Sequence, residues 1–162
     1  MLNDPTIDTV LSYGLGVDST SLLLRWIFEP RTRPCPLENI LVITAMTGDE
    51  WPITAALVQQ HILPLMRQHK IRYVQVARAG PREADGVTIL DDSRRPTRLL
   101  IQGDYKLQDE LRAAGPIPQS GGARKCSQKA KGVPLDRTIQ VITGGAPFRH
   151  AIGFEAGEVD RK

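Results

Sequence analysis

Short apolar runs and longer helical patterns alternate along the first half of the chain. Residues 7–12 (Ile-Asp-Thr-Val-Leu-Ser), 39–45 (Asn-Ile-Leu-Val-Ile-Thr-Ala) and 71–77 (Ile-Arg-Tyr-Val-Gln-Val-Ala) are brief and largely apolar. Runs of this length with little polar alternation predict strands of a parallel sheet covered on both faces. Between the first two, residues 18–28 carry Leu22, Leu23, Leu24, Trp26, Ile27 and Phe28. That segment is apolar on nearly all sides, so it predicts an interior helix. Pro52 suits the first position of a second helix. Leu57, Val58, His61, Ile62, Leu65 and Met66 then recur at helical spacing, and Pro64 should kink or divide it. The order β-α-β-α-β predicts a three-layer α/β/α domain with a mostly parallel central sheet. Right-handed crossovers place a ligand crevice at the C-terminal ends of such strands.

The second half is less regular. Residues 78–98 hold Arg78, Arg82, Arg94, Arg95 and Arg98 among four acids and read as an exposed excursion. Asp91-Asp92 read there as a solvated turn. Residues 104–114 predict a helix that Gly115-Pro116 ends. Residues 119–131 read as a glycine turn followed by a basic stretch, 134–142 as a helix and 149–154 as a strand.

Composition adds limits. The chain of 162 residues is 41% hydrophobic and 24% charged, which suits one ordinary domain over residues 1–162. No apolar run reaches the ~18 residues of a membrane helix, and the N-terminus lacks an export pattern. Two cysteines, Cys35 and Cys126, are too few for a disulfide scaffold or a four-thiolate metal site, so the expected compartment is the reducing cytoplasm. A net charge of +3 permits an anionic ligand without implying nucleic acid.

Candidate chemistry concentrates in Ser12-Tyr13-Gly14-Leu15-Gly16-Val17-Asp18-Ser19-Thr20, between the first strand and the first helix. Glycines let backbone amides approach an anion, and a helix start adds unpaired N–H groups and a positive dipole end. Asp18, Ser19 and Thr20 supply capping oxygens and hydroxyl donors. No lysine closes the loop as a Walker sequence requires, and Ser19 stands where a dinucleotide fingerprint needs its third glycine.

This segment resembles the PP-loop of ATP pyrophosphatases, Ser-Gly-Gly-x-Asp-Ser, with Gly14 in place of Ser and Leu15 in place of the first Gly. Three further segments resemble the PAPS reductase branch of that superfamily. Thr47-Gly48-Asp49-Glu50-Trp51-Pro52 is similar to its Asp-Thr-Gly-x-Glu-x-Pro-Glu-Thr, with Met46 for the leading Asp and Ile53 for the second Glu. Arg124-Lys125-Cys126-Ser127, with Lys129, Lys131 and Pro134, resembles Arg-x-Cys-Thr…Lys…Pro. Residues 152–162 resemble Gly-x-Arg-x-x-Glu-Ser-x-x-Arg, with Glu155 for the first Arg and Val159 for Ser. Family members commonly continue past this region, so the chain reads as a short member or as one piece of a longer protein.

The resemblance implies an adenine nucleotide alpha hydrolase-like (Rossmann-like) fold binding ATP or an adenylyl-sulfate nucleotide. It implies that Gly14 to Thr20, including Gly14, Leu15, Gly16, Asp18, Ser19 and Thr20, hold phosphate, that the backbone around Ala45 to Gly48 faces adenosine, and that Ser12, Tyr13, Thr47, Gly48 and Glu50 belong to the nucleotide-binding set. Arg124, Lys125, Lys129 and Lys131 add positive charge, and Asp49, with Glu50, positions Mg²⁺. Asp18, Lys129 and Cys126 are the catalytic candidates it implies. Cys126 is open to two readings, a sulfur relay or nucleophile and a small buried residue.

Three functions stay open. One is adenylation of a substrate with release of pyrophosphate, in sulfur transfer or another setting. The second is sulfonucleotide reduction, for which the family's C-terminal Glu-Cys-Gly-Leu-His motif is absent from this sequence. The third is a non-catalytic module that binds nucleotide or recruits a partner. A sulfur donor or acceptor protein is an implied partner, an oligomer is compatible with the sequence, and a nucleic-acid acceptor has no binding module here to support it. His61 reads as a core histidine, and His69 and His150 have no metal-spaced partners.

Overall fold

A computed structural model describes residues 3–115 and 127–153. The described elements are β1 (Thr9–Ser12), α1 (Val17–Phe28), β2 (Ile40–Met46), α2 (Pro52–Leu57), α3 (Leu63–Gln68), β3 (Arg72–Arg78), β4 (Val87–Ser93), α4 (Leu107–Ala114), α5 (Val133–Thr143) and β5 (Arg149–Ile152). The five strands form one sheet in the order β4-β3-β2-β1-β5. All neighbours are parallel except β3 and β4. This is an α/β domain with a mostly parallel sheet.

Alternate residues of the central strands feed two cores. Leu11, Ile40, Val42 and Tyr73 join Leu23, Trp26 and Ile27 of α1 and Leu63 and Met66 of α3. Val10, Leu41, Ile43, Ala45, Val74 and Val76 meet Ile139 and Ile142 of α5 instead. Helices therefore cover both faces, which explains why β2 and β3 are buried along their whole length.

The expected division of the second helix falls at Pro64. A π turn, Val58–Ile62, separates α2 from α3. Pro64 has no N–H to offer the preceding turn, so the α ladder cannot run through it. The same device recurs before Pro134, where the π turn Gln128–Gly132 precedes α5.

The excursion expected over residues 78–98 is corrected by β4. The link from Arg78 to Val87 is too short for a crossover, so the chain turns back as an antiparallel edge strand. Asp92 is part of that strand. It takes a two-pronged contact from the buried Arg72 at 2.9 and 2.8 Å, and Asp4 meets the same guanidinium at 3.3 Å. One smaller expectation also changes: His61 is exposed rather than packed in the core.

A buried hydrogen-bond chain ties the sheet to the turn after β1. The Tyr73 hydroxyl donates to Thr44 Oγ1 at 3.0 Å, and Thr44 Oγ1 donates to the Tyr13 carbonyl at 2.8 Å. Burial pushes the Tyr73 hydroxyl well above the ordinary tyrosine range, so it stays a donor. Thr44→Val leaves two buried groups without a partner, whereas Tyr73→Phe removes one donor and leaves the second bond intact. Urea unfolding is expected to show a loss of about 2 kcal/mol for Thr44→Val and about 1 kcal/mol for Tyr73→Phe. Equal losses would contradict this chain of bonds.

Candidate functional site

The strand order reverses at β1: the chain steps from β1 to β2 and β3 on one side and returns to β5 on the other. Connections leave such a pair on opposite faces, and a crevice opens at the C-terminal ends of the strands. A cleft of about 360 Å³ lies there. Its floor is Ser12, Tyr13, Gly14, Gly16, Asp18 and Ser19; Thr44, Ala45 and Glu50 form one wall, and Ser127, Lys131 and Leu135 form another. Ile152 and Gly153 close it from β5.

The turn between β1 and α1 is held from below. Tyr13 N donates to the Ile43 carbonyl at 2.8 Å, and the buried Tyr13 ring meets Tyr73 edge-on at 6.4 Å. The Tyr13 and Thr20 hydroxyls lie 3.1 Å apart. Tyr13 is thus a pin for the loop more than a contact surface. Leu15, where the PP-loop pattern has its first glycine, takes a left-handed φ of 63° while its side chain stays buried. Such a conformation costs a non-glycine residue roughly 1–2 kcal/mol, and core packing of the leucine offsets it. At Gly14 and Gly16 a Cβ would meet nothing within 4 Å, so the backbone there faces open space.

The sequence-level expectation of side-chain caps on α1 needs correction. Gly16 is the N-cap residue and has no side chain with which to cap the helix. Ser19 Oγ instead donates back to the Gly16 carbonyl at 3.2 Å, and Thr20 is occupied with Tyr13. Among the described residues, the first-turn amides of α1 are therefore left for water or an anion. Gly153 lets β5 end against this turn. A Cβ there would stand 2.5 Å from the Ser19 nitrogen and 2.8 Å from the Asp18 carbonyl carbon.

The other candidate residues separate into groups. Glu50 and Lys131 face each other across the cleft at 3.6 Å, and Glu50 also accepts from Thr47 at 3.4 Å. Thr47 and Gly48 do not line the cleft. Thr47 O accepts from Leu107 N at 3.0 Å, and Gly48 N donates to the Ile101 carbonyl at 3.2 Å under the Lys106 side chain. Asp49 Oδ2 accepts from Gln108 N at 3.1 Å and so caps α4 instead of facing the cleft. Leu15 and Thr20 border a neighbouring groove of about 420 Å³ between α1 and α2, together with Val17, Leu57 and His61. Arg124, Lys125 and Cys126 lie outside the described residues.

Lys129 turns away from the cleft. It shares Glu110 with Arg78, whose guanidinium reaches Glu110 Oε2 at 2.9 Å and sits 4.9 Å from the Tyr105 ring centre. The Tyr105 hydroxyl donates to the same carboxylate. Arg78 and Lys129 line a second cavity of about 350 Å³ with Arg82, Val87, Val133 and Pro134. The three hollows are similar in volume, so volume does not choose among them. Of the three, only the cleft is lined by both the glycine turn and the closing strand β5.

Among the described residues no group of three or more His, Cys, Asp or Glu side chains could hold a metal ion. The carboxylates lining the cleft are Asp18 and Glu50. That pair fits Mg²⁺ only as a companion of phosphate oxygens, the usual way Mg²⁺ is held beside nucleotides. No described helix is long and apolar enough to cross a membrane. Compared with protein-family models, curated proteins and solved structures, the chain matches none.

Sequence reasoning did not find Thr44, Leu135 or the link between Ser12 and His150. His150 Nε2 lies 2.7 Å from Ser12 Oγ. Only the pairing of β5 beside β1 brings these two together, and no local pattern announces that pairing.

The Glu110 cluster has a pH signature. Burial alone would raise this carboxyl, but hydrogen bonds from Lys129, Tyr105 and Arg78 outweigh it and hold it at about 2. A depressed carboxyl stabilises the fold fully above its unfolded value, near 4.5, and the gain disappears as pH falls through about 2. Glu110→Gln is expected to lower unfolding free energy at pH 7 and to converge with wild type between pH 4.5 and 2. A stability gap that is constant over that window would refute the assignment.

Proposed function

We propose that this chain is an adenine-nucleotide-binding PP-loop protein of the PAPS reductase-like kind, with an adenine nucleotide alpha hydrolase-like fold. Its reaction is adenylation of an acceptor with release of pyrophosphate. The observation that carries the reading is the cleft at the strand ends, where the uncapped start of α1, Gly14 and Gly16 offer main-chain amides to an anion. A triphosphate laid along those amides gains charge-assisted hydrogen bonds and the dipole of α1. Thr44 and Ala45, at the end of β2, leave room for the nucleoside.

In this reading Lys131 neutralises phosphate charge, and Asp18 and Glu50 hold Mg²⁺ through the phosphates. When bound, Mg²⁺ supplies Lewis-acid stabilisation of charge on the bridging oxygen. The chain's own part is to orient: amides fix the phosphate chain, and Lys131 must leave Glu50 to reach it. The acceptor oxygen or sulfur bonds to the α-phosphorus while the bond to the bridging oxygen breaks, and pyrophosphate leaves with the electron pair.

One observation favours a second reading, nucleotide binding without turnover. Asp49 caps α4 and Lys129 is tied to Glu110, so one residue implied for Mg²⁺ and one implied for catalysis face elsewhere.

The test separates the two lysines. Calorimetry with ATP and Mg²⁺ is expected to show binding weakened about tenfold by Lys131→Ala. Lys129→Ala should leave affinity within about twofold and lower thermal stability instead. Equal loss of affinity in both, or none in either, would contradict the cleft assignment. Release of pyrophosphate and AMP decides for turnover; tight binding with neither product decides for the module.

A further inference from the structure

Among the described residues, the side chains lining the cleft carry no net positive charge to match a polyphosphate. Glu50 and Lys131 cancel each other, and among the described residues no cation pairs with Asp18. The first turn of α1 brings a partial positive charge, yet the described lining side chains lean negative. A further source of positive charge stands one hydrogen bond behind the floor, at His150.

β5 runs parallel to β1 with Val10 opposite His150 and Ser12 opposite Ile152. This register brings His150 Nε2 within 2.7 Å of Ser12 Oγ, and Ser12 lines the cleft. The Phe148 ring lies 6.0 Å from the imidazole and tilted to it. The acid that acts on the ring is Asp136 of α5, and Arg149 beside it is turned to Asp8 and the Pro34 carbonyl. Among the described residues, the charged groups lining the cleft are Asp18, Glu50 and Lys131.

We propose that Ser12 and His150 form a proton-linked anion arm of the cleft, in which His150 is a positioning residue acting through the Ser12 hydroxyl. The proposal rests on the anion-binding reading of the cleft given above. A neutral imidazole whose Nε2 carries no proton accepts the Ser12 hydroxyl hydrogen, which leaves oxygen lone pairs facing the cleft. An imidazolium must donate at Nε2. Ser12 Oγ then accepts from His150 and its own hydrogen is free to point at a phosphate or sulfate oxygen. Protonation thus reverses the polarity of the hydroxyl and adds a positive charge behind it. In the free protein His150 is exposed at the sheet edge; partial desolvation on its Ser12 side lowers its value below that of an ordinary histidine, and Asp136 opposes this only in part. The ring is therefore mainly neutral near pH 7 until an anion arrives, and binding takes up a proton.

The chain has three histidines, so the imidazole resonances are few, and His150→Gln assigns the one in question. Sulfate is the first probe because it does not itself titrate between pH 5 and 8; chloride at equal ionic strength is its control. Saturating sulfate is expected to raise the His150 titration midpoint by about one pH unit, with the His61 and His69 resonances as controls for bulk ionic effects. ATP with Mg²⁺ should raise it at least as far. Ser12→Ala should reduce the response. His150→Gln, whose amide donates to Ser12 at every pH and cannot charge, should abolish the difference in ATP affinity that wild type shows between pH 6 and pH 8. If calorimetry shows ATP bound while the His150 midpoint moves no more than the controls, the arm is refuted and the nucleotide reading stands. If sulfate moves His150 while ATP fails to bind, the arm stands and the nucleotide reading falls. If neither probe binds, both fall.

Discussion

A chain of three side-chain hydroxyl contacts holds the candidate site in place. Tyr73 on β3 donates to Thr44 on β2, Thr44 donates to the main chain at Tyr13, and the Tyr13 hydroxyl meets Thr20 in the second turn of α1. Buried polar groups cost free energy unless paired, so this chain has one satisfied arrangement and disfavours others. Its effect is geometric. It fixes where β1 ends and at what angle α1 starts, and so aims the first-turn amides at the cleft. The strained backbone at Leu15 sits inside that frame, with its side chain in the same core as Tyr13 and Tyr73.

The opposite wall depends on a close approach. β5 is a short edge strand with mostly exposed residues, so its own packing holds it weakly. Gly153 brings its end against the Asp18–Ser19 backbone, and Ser12 bonds to His150. The cleft therefore joins a rigid side, β2 with the pinned turn, to a lightly held side. In the proposed reading, ligand charge falls on the seam between them.

Much of this architecture was legible in the sequence. Continuous apolar runs announced β1, β2 and β3, and Pro64 announced the break between α2 and α3, because both signals are local. The glycine turn was legible for the same reason. β4 was not, since its residues are half-buried and charged; Asp91 and Asp92 looked like a solvated turn until Arg72 appeared across the sheet. Long-range partners were hidden throughout. Nothing near Lys129 announces Glu110, and nothing near Asp49 announces the N-terminus of α4, yet those contacts turn both residues from the cleft. His150 looked idle because its partner is set by strand order.

The account stands on main-chain nitrogens of residues 14–19 receiving a phosphate chain. Amide ¹H–¹⁵N spectra recorded while ATP is added test this most directly. The account predicts that these six amides shift together along one saturation curve, ahead of those around the Arg78–Val87 cavity. Saturating shifts at that second cavity, with residues 14–19 unmoved, would contradict it.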